Sequence, residues 1–256
     1  MNDVLYIPKN IVGSMNTSDN GVLATVVLSC YYRNSKLEEI ISIKATSQFV
    51  CGSFDKRFMD SLRDGIKELE EKKYININWS DNDRYIIDMA PLEKLRAENY
   101  IILRTIEFIE IYRSGSKSRN SVLRCCLSIF GHWNVTSSIG SEYKGKICTI
   151  SQNRLADSSG KDVRTFRKCL DYLEKIGIIY IARMSRHGKC GDDKKRLNNF
   201  IARSCDKDLC DSIASEGGKT INIDESNVSN MKRRYKQIYN QLAAGNYNYE
   251  PDVVDE

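Results

Sequence analysis

Apolar residues recur at helical spacing in two stretches of this chain that lie about a hundred residues apart. Val163, Phe166, Leu170 and Leu173 follow one another at three- and four-residue steps. That spacing predicts a helix with one buried stripe, which leaves Arg164, Thr165, Arg167 and Lys168 largely outside it. Met59, Leu62, Ile66 and Leu69 repeat the stripe within Asp55–Lys73. Gly177 stands where a helix commonly ends in a left-handed cap, and Ile178–Ile181 then reads as a strand.

The two stretches align at a fixed offset of 104 residues. Ser47-Gln48 falls on Ser151-Gln152, Arg63 on Arg167, Leu69-Glu70 on Leu173-Glu174, and Ile75-Asn76-Ile77 on Ile179-Tyr180-Ile181. Such internal similarity points to two copies of one module. In the second copy, Ser121–Trp133 is expected as a first helix and Ile147–Ile150 as a short strand. Ser151 caps a short helix over Gln152–Asp157, and Ser158–Lys161 turns tightly into the long helix. Met184–Leu197 is a basic, glycine-containing loop before a return strand, Asn199–Ala202. The first copy is expected as a helix over Gly21–Arg33, a strand at Ile41–Ile43, a short helix over Thr46–Cys51 and the long helix over Asp55–Lys73. Its hairpin turn, Ser80–Arg84, is short and acidic.

Two helices joined by a short turn, the second exposing Arg and Thr near its start, is an arrangement that places side chains in a DNA major groove. The segment Ser121–Ala202 resembles a winged-helix domain, with the basic loop as its wing, and Gly21–Asp88 resembles a second one. The expected fold is therefore α+β, mainly α: two winged-helix (helix-turn-helix) domains followed by a C-terminal helix. Two such domains in one chain are similar to the layout of replication initiators of plasmids and phages. The opening Tyr6-Ile7-Pro8-Lys9 is similar to the start of some initiators from Gram-positive plasmids. The resemblance implies binding to repeated origin sequences, or to an operator where the same layout serves a transcriptional regulator of a mobile element.

The expected partition is a first domain over residues 1–90, an exposed connector over 91–99 in which Pro91 sits where a helix can begin, a second domain over 100–215, and a C-terminal segment over 216–256. Tyr100–Leu103 is expected as a strand, Ile106–Tyr112 as a helix and Arg113–Asn120 as a flexible, solvated basic turn. Met231, Tyr235, Ile238 and Leu242 form the stripe of a basic amphipathic helix suited to docking on the body, pairing two subunits or lying along phosphates. An acidic tail, Glu250–Glu256, follows.

Composition changes this picture little. The 256 residues are 41% hydrophobic with a net charge of +5, a mildly basic balance that permits nucleic-acid binding without requiring it. Nine cysteines, an odd number, with no secretory signal and no apolar run of membrane length, lead to a cytoplasmic expectation without a disulfide framework or membrane association.

The stretches that resemble catalytic motifs each lack an essential part. Gly140–Lys146 has the spacing of a phosphate-binding loop, but Ile147 replaces the magnesium-binding Ser or Thr and Cys148–Ile150 reads as strand. His132 and His187 are the two histidines, which counts against a relaxase built on paired histidines. His187, Cys190, Cys205 and Cys210 are acceptable zinc ligand types in a spacing that forms no standard knuckle. Cys125-Cys126 reads as core. No catalytic residue, cofactor or metal is expected.

Under the DNA-binding reading, Arg164, Thr165 and Lys168 face base edges or flanking phosphates, with Lys161 and Arg167 beside them. Arg186, Lys189, Lys194, Lys195 and Arg196 touch backbone or the adjacent minor groove from the wing. Lys56, Arg57 and Arg63 are the candidates of the first copy. Expected partners are double-stranded DNA, a second copy in a homodimer or cooperative array, and replication or transcription proteins. A protein–protein adaptor is the competing class, favoured by the mixed charge of Asp55–Asp64.

Overall fold

Alternating apolar residues at the very start of the chain form a strand that pairs with one almost a hundred residues away. In this computed structural model, which describes residues 3–13, 17–31, 38–133, 147–183 and 199–211, β1 (Val4–Pro8) runs antiparallel to β5 (Tyr100–Arg104). Between them come α1 (Lys9–Val12), α2 (Asp19–Tyr31), β2 (Glu38–Ser42), α3 (Ile43–Cys51), α4 (Lys56–Glu71), β3 (Asn76–Ser80), β4 (Arg84–Asp88) and α5 (Ala90–Glu98). After β5 come α6 (Thr105–Arg113), α7 (Arg119–His132), β6 (Ile147–Cys148), α8 (Gln152–Ser159), α9 (Val163–Lys175), β7 (Ile179–Ala182) and β8 (Phe200–Arg203). The fold is α+β and mainly helical.

The internal similarity is visible in the element order. Helix, strand, helix, helix, strand, strand occurs as α2-β2-α3-α4-β3-β4 and again as α7-β6-α8-α9-β7-β8. Both three-stranded sheets have the same order, β2-β4-β3 and β6-β8-β7, so the first strand of each set pairs with the last. The hairpin β3–β4 carries a bulge between Ile77 and Trp79, while Ile179 through Ala182 pair in regular register with Arg203 through Phe200.

The chain divides into two compact units, one formed by Met1–Gly131 with Ile150–Ile178, the other by His132–Thr149 with Ile179–Glu256. This cut differs from the expected sequential partition, because α8 and α9 associate with the first 131 residues. The stretch 91–99, expected as an exposed connector, is instead the packed helix α5. Pro91 lies in its first turn, Leu92 is buried, and the helix lies against β1 with the Arg96 guanidinium 5.9 Å from the Tyr6 ring centre.

The core of the first unit is built around α2, which is buried on nearly every side and crosses α4. The crossing is close at Gly65, where a Cβ would stand 2.0 Å from the Asn20 carbonyl oxygen. On α4 the buried set is Phe58, Leu62, Gly65, Ile66 and Leu69, so Phe58 rather than Met59 begins the stripe. Its ring packs edge-on against Tyr112 of α6 at 5.3 Å.

Three carboxylates tie this unit together. Asp19 accepts from Lys161 Nζ and Ser121 Oγ, each at 2.6 Å, and lies 3.4 Å from Arg124. Asp55 accepts from the Phe58 amide at 2.9 Å and from Arg119 at 2.6 Å. Glu68 accepts from the Ser18 amide and hydroxyl and from Lys72. Burial pushes the Asp19 carboxyl up, but the hydrogen bonds from Lys161 and Ser121 and the charges of Lys161 and Arg124 outweigh it and hold the carboxyl below its ordinary range. Asp55 and Glu68 are likewise lowered against desolvation by their partners. A depressed folded-state pKa gives stability that is present above the ordinary carboxylate range and lost as pH falls through the folded value. The melting temperature is therefore expected to hold near neutrality and to fall steadily below about pH 4. Asp19→Asn should flatten that fall, and equal melting temperatures at neutral and acid pH would refute the assignment.

In the second unit, Trp133 is buried beneath the Arg203 guanidinium at 4.6 Å, and the Tyr180 hydroxyl donates to Asp211 at 2.6 Å. A short 3-10 turn, Ser204–Asp206, follows β8.

Candidate nucleic-acid interface

Helix α9 begins where Asp162 caps it. Its carboxylate accepts from the Thr165 amide at 2.9 Å and the Thr165 hydroxyl at 2.6 Å, and these bonds hold the carboxyl below the usual range. Ser151 caps α8 in the same way through the Arg154 amide. The turn between the two helices closes on Gly160 in the left-handed region (φ 64°). Gly177, also left-handed (φ 76°), ends α9 as its position in the sequence predicts.

Phe166, Cys169, Leu170 and Leu173 face inward; Val163, expected in the stripe, is half-buried. Arg164, Arg167, Lys168, Asp171 and Lys175 are exposed, and the spacing of Arg164, Lys168, Asp171 and Lys175 places those four on one outward face. The expected site residues separate by role on this helix. Arg164 and Lys168 project from the exposed face. Thr165 uses its hydroxyl proton on its own cap. The Arg167 Nε donates to Gln152 Oε1 at 3.0 Å, which braces α9 against α8. Lys161, half-buried, is paired with Asp19.

In the first copy, Lys56 and Arg57 occupy the first turn of α4 and are exposed. Arg63 is directed to its own surroundings, with Asp60 at 3.1 Å and the Asn82 carbonyl at 3.3 Å. The acidic hairpin turn has a structural explanation. Asp81 accepts from the amides of Asp83 and Arg84, and Asp83 accepts from the Ser42 hydroxyl at 2.8 Å and the Lys44 amide at 2.9 Å. These carboxylates close the turn and tie it to the start of α3.

Helix starts reveal a correspondence hidden at the 104-residue offset. Both long helices open with an Asp cap and carry an arginine at their second position, Asp55 with Arg57 and Asp162 with Arg164. These pairs are 107 residues apart, because α4 has 16 residues and α9 has 13. A cation in the first turn sits at the positive end of the helix dipole, and in both helices the Asp cap is the anion that offsets it.

The basic stretch after α6, expected as a solvated turn, is fastened at several points. Arg113 donates to the Phe49 and Val50 carbonyls at the end of α3. Arg119 reaches Asp55 and covers the Tyr112 ring at 5.4 Å. Tyr172 of α9 donates to the Ser114 carbonyl at 3.0 Å and lies 2.6 Å from its hydroxyl. The run of Arg, Ser and Lys signalled a polar segment, but nothing local indicated these distant partners.

No family model matches the chain, and no curated protein or solved structure is significantly similar to it.

Several expectations fall outside the described residues: the basic loop with Arg186, Lys189, Lys194, Lys195 and Arg196, the Gly140–Lys146 stretch, His187 with Cys190, and the C-terminal helix over Met231–Leu242. Among the described residues, no group of three or more His, Cys, Asp or Glu side chains is placed to hold a metal ion, and no helix is long and apolar enough to cross a membrane. Cys125 and Cys126 are buried in α7.

Proposed function

We propose that this chain binds double-stranded DNA sequence-specifically through α9, in the manner of a tandem winged-helix replication initiator at a plasmid or phage origin, and catalyses no reaction itself. The observation that carries the proposal is the outward face of α9. Arg164 and Lys168 stand exposed on a helix capped at both ends, braced by Arg167 and anchored through Lys161. An arginine held in the first turn of such a helix is placed to reach base edges. The twice-repeated element order, with identical strand order in both small sheets, supports two winged-helix modules.

The test is a fluorescence-anisotropy titration of the full chain with duplex fragments from around its own coding region, at several salt concentrations. Tight, salt-dependent binding concentrated on one fragment is the expected result, and repeated sequences within that fragment favour the initiator over a regulator. Weak binding that ignores both salt and sequence would overturn the proposal and favour a protein–protein adaptor. Placement in the cytoplasm, where such DNA resides, belongs to the same proposal.

A further inference from the structure

A cavity of about 300 Å³ in the first unit is lined by three cationic side chains, Arg57, Lys117 and Arg119, together with Asp19, Asn20 and Ser121. Its one lining carboxylate is already neutralised, since Asp19 is engaged by Lys161 and Arg124. Asp55, close by, is engaged by Arg119. Lys117 is exposed, and its carbonyl accepts from Arg57 at 3.4 Å, which joins the turn before α7 to the first turn of α4. The surroundings are therefore positive, open to solvent and polar. They suit a hydrated or partly hydrated oxyanion better than an apolar ligand.

The turn that lines the cavity is also tied to α9. Lys168 and Tyr172 are one helical turn apart on neighbouring positions of that helix. The Tyr172 hydroxyl reaches Ser114, at the head of the same short turn that ends at Lys117 and Ser118. Tyr172 and Ser114 thus link α9 to the turn that carries Lys117, whose carbonyl in turn meets Arg57. This chain of contacts joins the long helices of both copies.

We propose that this cavity is a backbone-phosphate site: it holds a phosphate of the same duplex that α9 reads, with Lys117 and Arg57 as the cations that engage it. The inference rests on the DNA-binding reading and adds a second, sequence-independent contact to it. Arg119, locked to Asp55, positions the wall and is not counted among the contacting cations. Phosphate contacts fix orientation and strengthen binding to any duplex, whereas base contacts discriminate between duplexes. The two sites therefore leave different signatures.

The experiment measures the salt dependence of binding by the full chain, unaltered, as Lys117→Gln and as Arg57→Gln/Lys117→Gln, on the preferred fragment and on an unrelated one. Lys117 is exposed, so its replacement is expected to leave the melting temperature unchanged and to make the single variant interpretable even if the double one is destabilised. The slope of log affinity against log salt is expected to fall by about 1 for each cation removed. Binding should weaken to the same degree on both fragments, with the preference between them intact. An unchanged slope in Lys117→Gln, while the unaltered protein binds normally, overturns the phosphate site alone. Absence of salt-dependent binding by the unaltered protein overturns this site and the DNA-binding reading together.

Discussion

Gly65→Ala is expected to lower the melting temperature by about 6–12 °C, the largest loss of stability from removing or adding so few atoms anywhere in the described fold. The added methyl group would meet the Asn20 carbonyl oxygen at 2.0 Å, with the Ala24 Cβ at 2.9 Å. Neither obstacle is the free end of a flexible side chain, so relief requires α2 and α4 to separate. Both helices are bound into the core on either side of the contact, by Leu23 and Val27 on one and Leu62 and Leu69 on the other. Overpacking of this kind costs about 1–3 kcal/mol and more where backbone must move. At about 3 kcal/mol, the effect on a chain of this size is the range given. Gly177→Ala is the control. Its Cβ would meet nothing within 4 Å, and only the left-handed backbone would object, a cost of about 1–2 kcal/mol. A thermal scan by circular dichroism compares the two, and equal losses would show that the helix crossing is looser than described.

For DNA binding, Arg164→Ala/Lys168→Ala is expected to weaken affinity for the preferred fragment by about 100-fold or more. A bidentate arginine contact to guanine is worth about 1–3 kcal/mol of discrimination, and a lysine adds a direct or phosphate contact of its own. Both side chains are exposed, and neither takes part in the Asp162 cap or the Lys161 anchor. The variant should therefore fold and melt like the parent. Its preference among fragments should collapse toward the non-specific level, unlike the uniform weakening expected for Lys117→Gln. Retained preference with full affinity would remove α9 from the recognition role. Arg167→Ala is a poorer probe, since it also removes the brace to Gln152.

Much of the helical framework is legible in the sequence because its determinants are local. Phe166, Leu170 and Leu173 mark the inner face of α9, Gly177 marks its end, and Ser151 marks the start of α8; each depends on residues within one or two turns. The misreadings arise where a distant partner decides. Met59 and Phe58 fit the α4 periodicity about equally well, and only the Tyr112 ring selects Phe58. Pro91 marks the helix start that is found, but the charges over 92–99 suggest an exposed connector, whereas Leu92 and the strand β1 make α5 a packed helix. Nothing in Val4–Pro8 names Tyr100–Arg104 as its partner, although Leu5 and Ile7 alternate with Val4 and Tyr6 as a half-buried strand should.

The candidate site was readable to the same extent. Arg164 and Lys168 stand out from the stripe, but the sequence does not separate them from Lys161 and Arg167, which look identical as charges and are engaged by Asp19 and Gln152. The 104-residue alignment matched Arg63 with Arg167 and Ser47 with Ser151. In the fold Ser47 lies inside α3, whose cap is Ser42, and the first-turn arginines that do correspond are Arg57 and Arg164. One missing turn in α9 was enough to conceal the relation.

The first unit is discontinuous, and that governs the order in which the chain becomes structured during synthesis. When β1 emerges, its pairing partner is still some ninety residues from being made, and α8 and α9 follow only after the segment 132–149 has been produced. Leu5, Ile7 and the inner face of α7 must wait in the company of the nascent chain, a long interval of non-local closure that slows folding and exposes apolar surface. Translational pausing before residue 178 has left the ribosome would then prolong an incomplete unit, whereas a later pause would find it ready to close.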